Sequence, residues 1–354
     1  MTALFSPLTV RSAVMRNRLW VAPMCQYSAQ DGFAGEWHHV HLAQFASGGA
    51  GLVIAEATAV SPEGRISPED TGIWSDAHRD AWTPIVAAIR SRGAAAGIQL
   101  AHAGRKASTW SPFSGQAGSV PAEQGGWPTL APSAIAFEGY AAPREMTPAE
   151  IDTLVDDFAS AARRSVEAGF DVVEIHAAHG YLLHEFLSPL SNQRTDEYGG
   201  PLANRARLLI RIVEAVRRAA PEIALFVRFS GTDWAEDGWD IAQTVQVAQW
   251  AAEAGADFFD ISSGGLVAHQ QITVGPGYQV PLARQVRDAG LAVSAVGLID
   301  SGAQAEQVLA DSDADAIMAG REWLRDPHFA LRAAGELGVT APWPPQYERA
   351  ARRH

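Results

Sequence analysis

The sequence holds a single cysteine, Cys25, in 354 residues. That excludes an intramolecular disulfide, and it excludes an iron–sulfur cluster held by several thiolates of this chain. An unbroken apolar run of about 18 residues, the length a membrane span needs, is also missing. The opening residues Met1-Thr2-Ala3-Leu4-Phe5-Ser6-Pro7 carry neither a basic region nor a long apolar one, so the expected location is cytoplasmic. Positive charge is short as well: 27 Lys and Arg stand against 40 Asp and Glu, for a net charge of −13. Nucleic-acid binding needs a basic footprint on phosphates and is not expected. A few well-placed arginines and backbone N–H groups can still hold a local phosphate against that overall charge.

What the chain does have is an alternation of short apolar runs with amphipathic stretches, over its whole length. Strands are expected beginning near Leu19, Gly51, Ala94, Phe170, Ala224, Phe258, Leu291 and Ala314, eight in all. Helices are expected over 36–47, 76–92, 147–168, 204–218, 241–254, 280–289 and 304–310. Thr147-Pro148-Ala149-Glu150 supplies an N-cap, a proline at the first helical position and an acidic first turn. The pattern is that of an α/β protein, a single (β/α)₈ TIM barrel spanning 1–354. A doubly wound open sheet is the competitor, but no Gly-x-Gly-x-x-Gly follows the first strand. Residues 107–148, after the third strand, form a long excursion rich in Gly, Pro, Ser and Ala. Trp110, Phe113, Trp127, Phe137 and Tyr140 give it something to bury.

In such a barrel the strand C-terminal ends converge on the working face. Met24 and Cys25, Ala57, Gln99 with His102, Arg228, Ser262, Gly297, and Gly320 with Arg321 all stand at strand ends. The fourth strand ends in His176-Ala177-Ala178-His179-Gly180-Tyr181, two imidazoles and a phenol. Gly297 after strand seven and Gly320-Arg321 after strand eight fall where barrels commonly bind phosphate through backbone amides and a guanidinium. Few carboxylates are expected on this face, which favours an anionic or electron-rich ligand. His38, His39, His41, His176, His179 and His184 raise the question of a metal, but there is no His-Glu-x-x-His and no metal is expected. Nothing places a base for Cys25 to act as a nucleophile. On the residues alone, a flavin-free lyase or isomerase acting on a phosphorylated substrate stays open, with His176 and Tyr181 as acid and base.

Several longer segments carry a resemblance. They are Ala22-Pro23-Met24-Cys25-Gln26-Tyr27-Ser28, Glu56-Ala57-Thr58-Ala59-Val60, Gln99-Leu100-Ala101-His102-Ala103-Gly104-Arg105-Lys106, the run from Glu174 to Leu183, the run from Asn192 to Gly200, Val227-Arg228, and Gly320-Arg321. In this order the chain resembles the Old Yellow Enzyme family of FMN-dependent ene-reductases, in particular its bacterial thermophilic-like class. The resemblance implies non-covalent FMN, reduction by NADPH or NADH, and transfer to the C=C bond of an α,β-unsaturated carbonyl or nitro compound. It implies that Ala22, Pro23, Met24, Cys25, Ala57, Gln99, Arg228, Gly297, Gly320 and Arg321 line the cofactor. It further implies that His176 and His179 hold the substrate oxygen while Tyr181 delivers the proton, with Tyr27 sharing the substrate pocket. Lys106 reads either as a substrate-site residue that helps to bind the nicotinamide or as a solvated surface lysine. Gln346-Tyr347-Glu348-Arg349, in the 341–354 tail, resembles an element that reaches a neighbouring subunit's active site, so a homodimer or homotetramer is expected.

Overall fold

The computed structural model describes residues 2–351; Arg352, Arg353 and His354 of the C-terminal tail lie outside the described residues. The expected eight strands are present and close into one parallel barrel. They are β1 Leu19–Val21, β2 Leu52–Ala59, β3 Ala95–Ala101, β4 Val172–Ala177, β5 Ala224–Ser230, β6 Phe258–Ser262, β7 Val293–Ala295 and β8 Ala316–Ala319, with β8 pairing back onto β1. All eight are buried along their length, as strands covered on both faces must be.

Around them run α1 Glu36–Ser47, α2 Asp76–Arg90, α3 Pro148–Ala168, α4 Leu182–Leu187, α5 Leu202–Ala219, α6 Ile241–Ala254, α7 Val280–Asp288, α8 Gly302–Ala310, α9 Arg321–Arg325 and α10 Phe329–Glu336. The α3 start is a capping box. Thr147 Oγ1 accepts from the Glu150 N–H while Glu150 Oε2 accepts from the Thr147 N–H, so two otherwise orphaned amides are satisfied before the helix ladder begins.

The period-two alternation of side chains sorts the barrel interior into layers. Lowest is an aromatic layer in which Trp20, Phe226 and Phe258 meet with ring centroids 4.7 to 6.0 Å apart. Two residues further along the same strands the inward positions become Glu174, Arg228 and Asp260, joined by Gln99 and Ser294. Two residues further again come His176, Ser230 and Ser262. An antiparallel hairpin, Leu8–Val10 with Ala13–Met15, packs Ala13 and Met15 into the aromatic layer and closes the lower end.

The excursion over 107–148 is ordered on its own small frame. Leu130–Ala131 pairs with Arg144–Glu145, Thr109 bridges Ser119, and the Trp127 indole donates to the Glu63 carbonyl at 2.9 Å. Its aromatics reach the upper end of the barrel. Phe113, although 75% exposed, stands edge-on to Tyr27 at 5.9 Å, and Phe137 lies 4.9 Å from the Lys106 ammonium.

Candidate active site

The turn after β4 carries His179, Gly180 and Tyr181. His179 and Gly180 both adopt positive φ, +60° and +72°, a conformation that costs a non-glycine residue free energy and persists only where its surroundings fix it. Here the surroundings do so. The His179 N–H donates to Ser230 Oγ at 2.9 Å, and that hydroxyl donates in turn to the Gly264 carbonyl at 2.8 Å. The Gly180 N–H donates to His184 Nδ1 at 2.9 Å, while His184 Nε2 lies 2.8 Å from Asp233 Oδ1, both side chains fully buried. A Cβ on Gly180 would come within 2.2 Å of the Gly265 carbonyl oxygen, so only glycine fits there.

Held this way, the turn brings the His176 ring 5.2 Å from that of His179 and 5.1 Å from that of Tyr181. His176 Nδ1 accepts from the Ala178 N–H, so the neutral ring carries its proton on Nε2. His179 Nε2 meets the Ser262 hydroxyl at 2.7 Å. Burial, reinforced by Arg228, holds both histidines well below their ordinary pKa, and burial raises the Tyr181 phenol well above its own. The cluster at neutral pH is therefore two neutral imidazoles and one phenol, all capable of donating a proton in a hydrogen bond.

Beside it, between the ends of β1, β7 and β8, is a cavity of about 270 Å³. Ala22, Pro23, Met24, Gly297, Gly320 and Arg321 line it, with Arg228 at its base. Gly297 stands at φ +131°, and a Cβ there would meet Gln279 Nε2 at 3.1 Å. Arg321 is exposed, and among the described residues its guanidinium has no hydrogen-bond or ion-pair partner. A glycine-walled cavity with a free guanidinium at its mouth fits a phosphate group carried by a larger ligand.

Most of the residues singled out from the sequence are thus brought to one end of the barrel. Cys25, Tyr27, Ala57 and Tyr181 share one small apolar cluster. Gln99 donates from Nε2 to Glu174 Oε1 at 2.7 Å, which leaves its carbonyl free for another donor. Arg349 is the exception. It is exposed in the turn Pro345–Ala350, and its neighbour Tyr347 lines a cavity with Arg16, Ser47, Ser91 and Arg92, at the strand N-terminal end of the barrel and away from Tyr181.

The expectation of few carboxylates needs correction. Glu174 and Asp260 are fully buried directly beneath the upper layer; burial raises the Glu174 carboxyl to about 8, and Asp260 meets Arg228 Nε at 2.8 Å. Period-two spacing from His176 and from Ser262 would have found both. The reading of Lys106 as a solvated surface lysine is corrected as well: its ammonium is held between the His179 and Gly265 carbonyls. Nothing in the sequence pointed to Asp233 as the partner of His184. Among the described residues no group of three or more His, Cys, Asp or Glu could hold a metal ion, and no helix is long and apolar enough to cross a membrane.

A closed parallel barrel with a glycine-walled cavity at strands seven and eight, set against a cluster of imidazole and phenol groups at strand four, fits an enzyme that uses a phosphorylated cofactor or substrate. Residues 3–338 match the model of the NADH:flavin oxidoreductase / NADH oxidase family. The NADPH dehydrogenase of Geobacillus thermodenitrificans is 48% identical over 352 residues, which cover 98% of each chain. Among solved structures, morphinone reductase in complex with tetrahydroNAD superposes with a TM-score of 0.78 at 29% identity, covering 97% of this chain and 93% of that one. The old yellow enzyme homologue of Zymomonas mobilis superposes with a TM-score of 0.79, also at 29% identity, covering 99% of each. The chain belongs to the NADH:flavin oxidoreductase / NADH oxidase family and is of the Old Yellow Enzyme type. It is an FMN-dependent oxidoreductase served by a nicotinamide nucleotide, and the flavin-free lyase reading falls.

Proposed function

We propose that this enzyme reduces the C=C bond of α,β-unsaturated carbonyl or nitro compounds, with NADPH or NADH as reductant. The observation that carries the reading is the cluster of two neutral imidazoles and a phenol beside the glycine-walled cavity. When bound, FMN supplies the hydride that adds to the carbon β to the activating group.

The chain's own residues then have separate tasks. Ala22, Pro23, Met24, Cys25 and Ala57 shape the ring pocket, while Gly297, Gly320 and Arg321 hold the phosphate. Gln99, with its Nε2 engaged by Glu174, offers its carbonyl oxygen to a ring N–H. Arg228, a buried cation paired with Asp260, would stabilise negative charge on the reduced ring. His176 and His179 donate to the substrate oxygen as charge builds there, acting as an oxyanion site. Tyr181 protonates the α carbon, and Tyr27 and Lys106 border the same pocket.

The direct test is a visible spectrum of the purified protein, followed by anaerobic reduction with NADPH and reoxidation of that sample by cyclohexenone. A yellow protein bleached by the first and restored by the second is expected. Bleaching without restoration would remove the alkene from the proposal.

A pH prediction follows from the lowered histidine values. Groups held well below the ordinary value stay neutral as pH falls, so the enone KM should stay constant from about pH 8 down to about pH 6. A KM that follows an ionisation near the ordinary histidine value of about 6.5 would mean that an imidazolium holds the oxygen.

We also assign Arg349 to a neighbouring subunit's active site in a homodimer or homotetramer. Its position at the lower end of its own barrel supports this, since it is turned away from its own Tyr181. A monomeric protein with full activity would dispose of the assignment.

A further inference from the structure

Lys106 is the only lysine in the chain; every other one of the 27 Lys and Arg residues is arginine. A sequence that uses arginine wherever else it needs a cation uses an ammonium at this one position, in the turn Gly104–Lys106 that leaves β3. The ammonium is a compact point charge, where a guanidinium spreads its charge over a plane. Nζ donates to the His179 carbonyl at 2.7 Å and to the Gly265 carbonyl at 3.0 Å, and these two bonds fix it 4.9 Å from the centroid of the Tyr181 ring. Phe137 of the excursion lies 4.9 Å from the same ammonium.

We propose that Lys106 is a positioning residue for proton delivery: its ammonium, clamped against the Tyr181 ring, stabilises the negative charge that this ring acquires when its proton leaves. The inference rests on the reading of Tyr181 as proton donor. In that step the phenol O–H bond breaks and a C–H bond forms at the substrate's α carbon, using the electron pair of the substrate's enolate. The O–H pair stays on the phenol oxygen, and the phenolate regains a proton from water before the next turnover. A cation near an aromatic ring already attracts the neutral ring's electron-rich face, and it attracts an anionic ring more strongly. Only the second, differential part speeds the step.

The charged and titratable groups facing Lys106 are Glu185 from α4, Arg105 from its own turn, and His176, His179 and Tyr181 from the end of β4. Burial lowers the Lys106 pKa to about 8, which Glu185 opposes and Arg105 assists. Burial also raises the Glu185 carboxyl to about 8, so it titrates in the same range.

The test uses the FMN-loaded enzyme and stopped-flow reoxidation by cyclohexenone. Lys106→Met should slow reoxidation about ten- to thirtyfold, with Lys106→Arg, which keeps the charge but spreads it over a plane, recovering only part of the loss. The wild-type rate should fall as pH rises past about 8, a fall absent from Lys106→Met and retained in Glu185→Gln. Independently of turnover, carbon-13 lysine labelling gives one side-chain signal. Its ring-current shift from Tyr181 should be kept in Tyr181→Phe and lost in Tyr181→Leu, which removes the ring. Reoxidation by Lys106→Met at the wild-type rate, while Tyr181→Phe is slow, would overturn the inference. A wild-type rate in Tyr181→Phe itself would instead overturn the underlying reading of Tyr181. If Lys106→Met takes up no flavin, Lys106→Gln, which keeps an N–H for the His179 carbonyl, carries the same comparison.

Discussion

Replacing Tyr181 by phenylalanine should leave reduction by NADPH intact and slow reoxidation by an enone about 10²- to 10⁴-fold, the usual contribution of a positioned acid. The substitution removes one oxygen from a partly buried side chain that packs against Cys25, Tyr27 and the His176 ring, so the shape of the pocket is kept. The phenol is held well above its ordinary pKa, first by burial and then by Cys25, Tyr27 and Asp70. It therefore remains protonated across the working range, and it is an adequate acid only because the carbon it serves is a far stronger base. Rapid-mixing measurement of the two half-reactions separates the outcomes. Unchanged turnover with cyclohexenone would end the proton-donor assignment.

Removing both imidazoles, with His176→Ala and His179→Ala in one protein, should have the largest effect of all. Each donor aimed at a developing oxyanion contributes about 10²- to 10³-fold. The donors here are neutral and oriented by bonds that the substrate does not have to form: the Ala178 N–H to His176, and the 2.7 Å contact between His179 Nε2 and the Ser262 hydroxyl. Preorganisation of this kind is what makes a neutral N–H effective, because little reorganisation remains when charge appears. Phenols that bind over the flavin should lose their charge-transfer band in the double variant. An intact band would rule out the oxyanion role. The bond from the Gly180 N–H to His184 does not depend on either ring, so the turn itself should survive the substitution.

The barrel was legible in the sequence because each strand is a short apolar run that ends in a polar or glycine residue, and because caps such as Thr147-Pro148 mark the helix starts in local chemistry. The hairpin at Leu8–Val10 and Ala13–Met15 was not legible. Three-residue strands carry too little alternation to be seen, and what makes them strands is the open lower end of the barrel that they cover. The strand-end candidates were legible for a related reason: in a parallel barrel, the end of a strand in sequence is also a place in space.

Partnership was another matter. His184 reads as one more histidine until Asp233, from the loop after β5, is found 2.8 Å away, and the pair is then seen to hold the Gly180 amide. Arg349 stands in the sequence as an active-site candidate, and the fold sets it at the far end of its own chain. Lys106 could be counted from the sequence, but a count says nothing of a ring 4.9 Å away.

By itself, then, the sequence determined the barrel and the residues at its working end, because hydrophobic period and strand order are local properties that a chain carries wherever it folds. Tertiary structure alone decided which side chains meet across the barrel's working end, and where the one lysine points. Those depend on contacts between segments far apart in the chain, and on a burial that exists only once the barrel has closed.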